Sequence, residues 1–175
     1  MVNLHEKKGV GEEYQKWLVS TAEAATLQLE FKYLAHLTDN DECWVKAEKV
    51  MKVIKDALVN IESGLAPIYM NAEQGDFITS EIRLGSRGDS FYEYLLKQYL
   101  QTNRTEEVYL EMYENTMDSI RANLVRKGIN KHSTYTVELL PQRVNKGEMS
   151  WKVSPKQDHL VCFLAGSLNA RCRPK

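Results

Sequence analysis

Arg87 and Asp89 stand two residues apart at the mouth of a strongly apolar stretch, Leu84 to Gln98 (L-G-S-R-G-D-S-F-Y-E-Y-L-L-K-Q). Charge at the edge of a buried helix is costly unless it is paired or used. Two other polar residues hold similar places. Glu23 and His159 each open an apolar segment, and Glu23, Asp89 and His159 recur at intervals of 66 and 70 residues. Carboxylates and an imidazole converging on one opening can do acid/base work or bind a polyhydroxylated ligand.

Each residue also has a plain structural reading. Ser20-Thr21-Ala22-Glu23 is a capping-box pattern, in which Glu23 serves only as the third helical residue. Asp89 reads as an N-cap, Arg87 as its ion-pair partner, and His159 as a cap or a core filler. Ser90-Phe91-Tyr92-Glu93 offers a second complete capping box. On that reading Glu93 is a cap and Asp89 is released for other work. Glu30, among apolar neighbours, stays open between a buried pair and a site role.

The elements that must position these residues are mostly helical. Apolar spacing predicts helices over about 22–37, 42–58, 91–101 and 106–126, with turns at Thr38-Asp39-Asn40-Asp41 and at Thr102-Asn103-Arg104-Thr105. Each pair forms a helical hairpin. A strand pair is expected after each: 66–70 with 77–84 around Gln74-Gly75-Asp76, and 134–140 with 149–153 around Asn145-Lys146-Gly147. A further helix begins near Asp158. The unit is therefore helix, turn, helix, β-hairpin, occurring twice before a third begins. The helix from Phe91 is apolar nearly all round, whereas that from Glu106 carries charge throughout. Inner helices thus alternate with outer ones, as in a toroid of hairpins whose core forms by stacking. Two units and a part do not close a ring, so exposed apolar faces and self-association are expected of the chain alone.

Composition narrows the function classes. The chain has 175 residues, with 23 basic against 24 acidic. It has no basic field for nucleic acid and no polybasic membrane arm. No apolar run approaches the roughly 20 residues that cross a bilayer. The first residues, Met1 to Lys8, are polar and do not read as a signal peptide. The three cysteines, Cys43, Cys162 and Cys172, have no zinc-ligand spacing. Asn103-Arg104-Thr105 is a glycosylation tripeptide, meaningful only in the secretory pathway and otherwise a chance match.

Four segments carry a resemblance: Ser20 to Phe31, Gly64 to Tyr69 (G-L-A-P-I-Y), Leu84 to Gln98, and Ser154 to Leu164 (S-P-K-Q-D-H-L-V-C-F-L). In this order and spacing they resemble the class I α-1,2-mannosidases, glycoside hydrolase family 47. The resemblance covers about 2–166. It implies a mainly all-α fold, a partial (αα)7 barrel of helical hairpins with short β-hairpins between units. It implies Ca²⁺-dependent, inverting hydrolysis of terminal α-1,2-mannose from high-mannose N-glycans, in the lumen of the endoplasmic reticulum or Golgi. Inversion needs an acid and a base on opposite faces of the sugar. By resemblance Asp89 is the general acid, acting directly or through a water. Arg87 shapes branch choice, and its R-G-D setting is similar to the endoplasmic-reticulum type. Glu23 and His159 line the sugar site, and Cys162 matches a cysteine whose disulfide partner lies downstream.

The resemblance also places other parts outside this chain: an upstream glutamate, the base glutamate and the Ca²⁺-binding threonine. The expectation is an internal piece of the catalytic domain, 1–166, inactive alone, followed by an atypical tail, 167–175. Gln157 and Ala165 depart from the family pattern. Cys172, in that tail, is not a substitute partner for Cys162. Two other readings compete. A non-catalytic glycan-binding or degradation-factor homologue would have drifted at R-G-D, which is intact here. A helical-repeat interaction module would not gather Glu23, Asp89 and His159.

Overall fold

The computed structural model describes residues 2–9, 17–130, 133–144 and 148–172. The chain is mainly helical, with small antiparallel strand pairs set between helical hairpins. Strands β1 (Val2–Asn3) and β2 (Lys8–Gly9) pair with each other. Strand β3 (Leu18–Ser20) leads into α1 (Thr21–Ala24), α2 (Gln28–Thr38) and α3 (Glu42–Leu58). Strand β4 (Tyr69–Asn71) precedes the second hairpin, α4 (Asp89–Gln101) and α5 (Glu107–Asn123). Then come β5 (Val125–Lys127), β6 (Thr134–Thr136), β7 (Glu138–Arg143) and β8 (Met149–Ser154). A 3-10 turn over His159–Cys162 runs into α6 (Phe163–Cys172).

The first turn follows its sequence chemistry. Asp39 adopts a left-handed backbone (φ 51°) at the end of α2, and the Asn40 carboxamide oxygen accepts the Glu42 N–H at 3.0 Å. The helix expected over 22–37 divides at Ala25. Gln28 stabilises the break by donating its side-chain N–H to the freed Ala24 carbonyl at 3.0 Å. The helix expected to reach Arg126 stops at Asn123, because Val125–Lys127 pair with Thr134–Thr136.

The first expected β-hairpin forms in part, with the Asn71, Ile78 and Ile68 N–H groups bonded to the Asp76, Tyr69 and Glu81 carbonyls at 2.8, 3.0 and 3.0 Å, but the regular ladder here is a long-range pair. Strand β4 joins β3, with Ser20 opposite Tyr69 and Leu18 opposite Asn71. The segment 77–84 touches Met70 by one bridge at Phe77 and Leu139 by another at Ile82. Its ladder is interrupted where the Ser80 hydroxyl, not a backbone carbonyl, accepts the Tyr69 N–H at 3.2 Å. The segment expected as one strand over 134–140 is two, β6 paired with β5 and β7 with β8. The expected turn at Asn145-Lys146-Gly147 lies outside the described residues.

Helix α4 is the centre of the molecule and packs against α1, α2, α5 and α6. Phe91, Tyr92, Leu95, Leu96, Gln98 and Tyr99 are buried on it. Helices α2, α4 and α6 therefore lie in a row, with α3 and α5 packed against the first two. Helix α2 is turned against its own periodicity. Its buried residues are Gln28, Lys32 and Ala35, while Leu27, Phe31 and Leu34 share an exposed face. Periodicity finds a helix and its apolar stripe, but it does not say which neighbour within the chain covers that stripe.

Helix α6 runs without a break across Gly166, where the sequence reading begins the tail. Ser167 is buried and donates to the Tyr113 hydroxyl at 3.1 Å, and Arg171 pairs with Glu114. Arg173 to Lys175 lie outside the described residues.

Candidate functional site

Three helix beginnings meet at the loop Gly85–Asp89. The Gly88 and Asp89 N–H groups both reach the Gly85 carbonyl, at 3.1 and 3.0 Å, which winds the loop straight into α4. Arg87 sits within this turn at φ 72°, a left-handed backbone that few residues other than Gly, Asn and Asp adopt. Strained backbone of this kind persists only where its surroundings hold it. Here the Arg87 carbonyl accepts the Ala22 N–H at 2.9 Å and the Ser20 hydroxyl at 3.5 Å. The Arg87 guanidinium lies 5.3 Å from the centre of the Tyr69 ring, within cation–π range.

Those bonds bring the α1 mouth to the loop. Ser20 caps α1, accepting the Glu23 N–H at 3.4 Å. The Thr21 N–H and hydroxyl bond to the Ile68 and Pro67 carbonyls at 3.0 and 2.6 Å, and the Tyr92 hydroxyl reaches the Ala66 carbonyl at 3.5 Å. The segment G-L-A-P-I-Y thus supplies acceptors that tie α1 to α4. The Glu23 side chain is exposed, so its capping role rests on its backbone N–H.

The third mouth arrives through Asp158, a residue the sequence reading passed over. Its Oδ1 accepts the Leu160 N–H at 2.8 Å, capping the 3-10 turn, and its Oδ2 accepts the Ser86 N–H at 3.1 Å. An aspartate directly before an apolar helix start is a cap signal, and that signal was available. His159 follows it, exposed at the start of the turn. Cys162 ends the turn with an exposed free thiol, and Cys43 and Cys172 are free as well.

The helix α4 mouth differs from its expected chemistry. Ser90 and Glu93 do not form a capping box. The turn at Gly85 starts the helix two residues earlier, with Gly88 as N-cap and Asp89 as first residue. Asp89 Oδ1 accepts the Ser90 N–H at 2.8 Å and the Ser90 hydroxyl at 3.3 Å, and Glu93 pairs with Lys97 at 2.8 Å. Asp89 therefore does part of the capping itself, and among the described residues Arg87 forms no ion pair with it. Glu30 accepts the Tyr94 hydroxyl at 3.5 Å and is exposed, not a buried pair.

Glycine at 85 is required by this closeness. A Cβ there would fall on the Asp158 carboxylate, 2.6 Å from its Cγ. Gly85→Ala is expected to push that carboxylate away and to lose its bonds to Ser86 and Leu160. The loss should be about 2 kcal/mol, the scale of a cap plus a charge-assisted hydrogen bond. A urea midpoint unchanged from the parent would contradict it.

Ala22 and Asp158, which bond to this loop, adjoin Glu23 and His159, so these two stand one residue from the groups that meet the loop of Arg87 and Asp89. A cavity of about 900 Å³ lies elsewhere, between α4, α5 and α6 beside Tyr99, Arg104 and Tyr113. Among the described residues no group of three His, Cys, Asp or Glu side chains is placed to hold a metal.

Comparison with known proteins gives this arrangement its relatives. The family model for glycosyl hydrolase family 47 matches residues 1–173. The chain belongs to glycosyl hydrolase family 47. The mannosyl-oligosaccharide 1,2-alpha-mannosidase of Candida albicans is 46% identical over 95% of this family-47 chain and 28% of its own length. The endoplasmic reticulum mannosyl-oligosaccharide 1,2-alpha-mannosidase of Saccharomyces cerevisiae is 41% identical over 95% of the chain and 29% of its own length. An alpha-1,2-mannosidase from Trichoderma reesei shares the fold, with a TM-score of 0.71 and 24% identity, over 92% of this chain and 31% of that one. The family-47 chain thus spans under a third of the length of the curated relatives it matches.

Proposed function

We propose that this chain forms a sector of the (αα)7 catalytic barrel of a mannosyl-oligosaccharide 1,2-α-mannosidase of the endoplasmic-reticulum type, acting on high-mannose N-glycans. The observation that carries the reading is the intact Arg87-Gly88-Asp89 loop. Three helix mouths are hydrogen-bonded to it in a chain whose relatives are named 1,2-alpha-mannosidases.

In this reading the Asp89 carboxyl protonates the glycosidic oxygen, directly or through one water, as the bond to the mannose C1 breaks. A base outside this chain takes a proton from the water that attacks C1 on the opposite face. The two Ser90 bonds hold Asp89 Oδ1, leaving Oδ2 to carry the proton. Arg87, fixed by its carbonyl bonds and held over the Tyr69 ring, reads the branch, while Glu23 and His159 contact the sugar. Ca²⁺ belongs to the complete enzyme, with ligands outside this chain. The lumen of the endoplasmic reticulum is the compartment, in line with relatives named for it.

With one half of the acid/base pair, the 175-residue chain alone is expected to release no mannose from α-1,2-mannobiose in the presence of Ca²⁺. The full-length protein is expected to release it with inversion, read by the anomeric NMR signal of the fresh product. Turnover by the chain alone contradicts the division of the site. Absence of turnover by the full-length protein contradicts the enzyme reading.

A further inference from the structure

We propose that Asn103 is a site of N-linked glycosylation. Asn103-Arg104-Thr105 is the sole N-x-S/T tripeptide in the sequence, and the residue after Asn103 is not proline. The structure places it where an acceptor must be. It forms the turn between α4 and α5, and both Asn103 and Thr105 are exposed. Asn103 and Arg104 have left-handed backbone, φ 52° and 65°, which carries the chain sharply out of α4. The turn is ordered by other groups. The Asn103 N–H bonds to the Leu100 carbonyl at 3.2 Å and the Arg104 N–H to the Tyr99 carbonyl at 2.8 Å. The Thr105 hydroxyl donates to the Thr102 carbonyl at 2.8 Å. A sugar on the Asn103 carboxamide therefore disturbs none of the bonds that make the turn.

A left-handed position alone would be served by glycine or asparagine alike. The threonine two residues on is what makes this asparagine an acceptor. Position also makes the modification compatible with the candidate site. Asp89 begins α4 and Asn103 follows its end, so the 13-residue helix sets them apart, about 20 Å at the α-helical rise. The attached glycan would project from the end of the hairpin opposite the mouth that a substrate glycan enters.

The chemistry balances with one co-reactant, a lipid pyrophosphate-linked oligosaccharide of the secretory pathway. The Asn103 amide nitrogen forms a bond to the sugar C1 and loses a proton. The C1–oxygen bond to the pyrophosphate breaks, and the lipid pyrophosphate leaves with that electron pair. The inference rests on the lumenal location proposed above.

The test uses full-length protein in microsomes from cells that make it. Protease protection reads the location, and peptide mapping after enzymatic deglycosylation in heavy-oxygen water reads the conversion of Asn103 to labelled aspartate. Expected are protection and labelling at Asn103, and a gel shift of one glycan attributable to that site. That shift should be lost in Asn103→Gln, Asn103→Gly and Thr105→Ala and kept in Thr105→Ser. The glycine variant tolerates the left-handed backbone, so a misfolded glutamine variant leaves the test standing. Protected but unlabelled protein overturns this inference and leaves the location intact. Unprotected, unlabelled protein overturns both.

Discussion

Asp89→Asn in the full-length protein is expected to lower kcat by about 10²–10⁴-fold, the contribution of a general acid, while leaving the fold in place. Asparagine is the informative replacement. Its carboxamide oxygen can still accept the Ser90 N–H and hydroxyl, so the hydrogen bonds that start α4 survive. What goes is a negative charge at a helix N-terminus, worth about 0.3–1 kcal/mol of stability, and the ability to carry a proton. The expected pattern is a Tm within a few degrees of the parent, KM changed little and kcat sharply reduced. Asp89→Ala would lose the Ser90 bonds as well and should be less stable than the asparagine variant. If Asp89→Asn turns over within a fewfold of the parent, Asp89 is a helix-start residue and no more. If both variants lose activity only in proportion to lost folded protein, the effect is structural.

How far the sequence could lead depends on the range of the interaction. Helix α3 lies over Glu42–Leu58, as apolar spacing and the Asp39-Asn40-Asp41 turn predict, because both signals are local. The central place of α4, packed against α2, α5 and α6, follows from its all-round apolarity. The partner of β4 was not legible. Its hydrogen bonds go to Leu18–Ser20, some 50 residues away, and no local pattern encodes that choice. The site divided in the same way. The residue types at Glu23, Arg87, Asp89 and His159 were legible, but the chemistry that joins their helices was not. It runs through the Arg87 carbonyl, the Asp158 carboxylate and the Pro67 and Ile68 carbonyls. Backbone carbonyls have no sequence signature. The capping box at Ser90 failed for a related reason. The pattern D-S-x-x-E offers Asp89 or Ser90 as N-cap, and the turn closed on Gly85 starts the helix before either, with Gly88 as N-cap.

Lys32→Ala is expected to be the most destabilising single change in the first hairpin, at roughly 3 kcal/mol, the low end of the ~3–5 kcal/mol for breaking a buried ion pair. Lys32 is fully buried on α2 and pairs with Glu48 of α3 and, at 2.9 Å, with Glu106 at the start of α5. Its ammonium lies 4.9 Å from the Trp44 ring centre and 4.4 Å from that of Tyr109. The Tyr109 hydroxyl donates to Glu48 at 2.6 Å. Burial first, and then that bond to Glu48, hold the phenol well above its ordinary range, so it stays a neutral donor. The low end applies because Glu48 is 35% exposed and can turn back to water once its partner is gone. Lys32→Met separates charge from packing. It keeps the stem between the two rings and removes only the ammonium. If the ion pairs dominate, alanine and methionine should cost nearly the same in urea midpoint, and Lys32→Met with Glu48→Gln should recover part of the loss. If packing dominates, methionine should be close to neutral. A cost below about 1 kcal/mol for both would put this network with ordinary surface pairs. Because Lys32 fixes α2 against the second hairpin at the end away from the helix mouths, both variants should lose activity only through folded fraction. The kcat per folded molecule should stay at the parent value, the opposite of what Asp89→Asn should do.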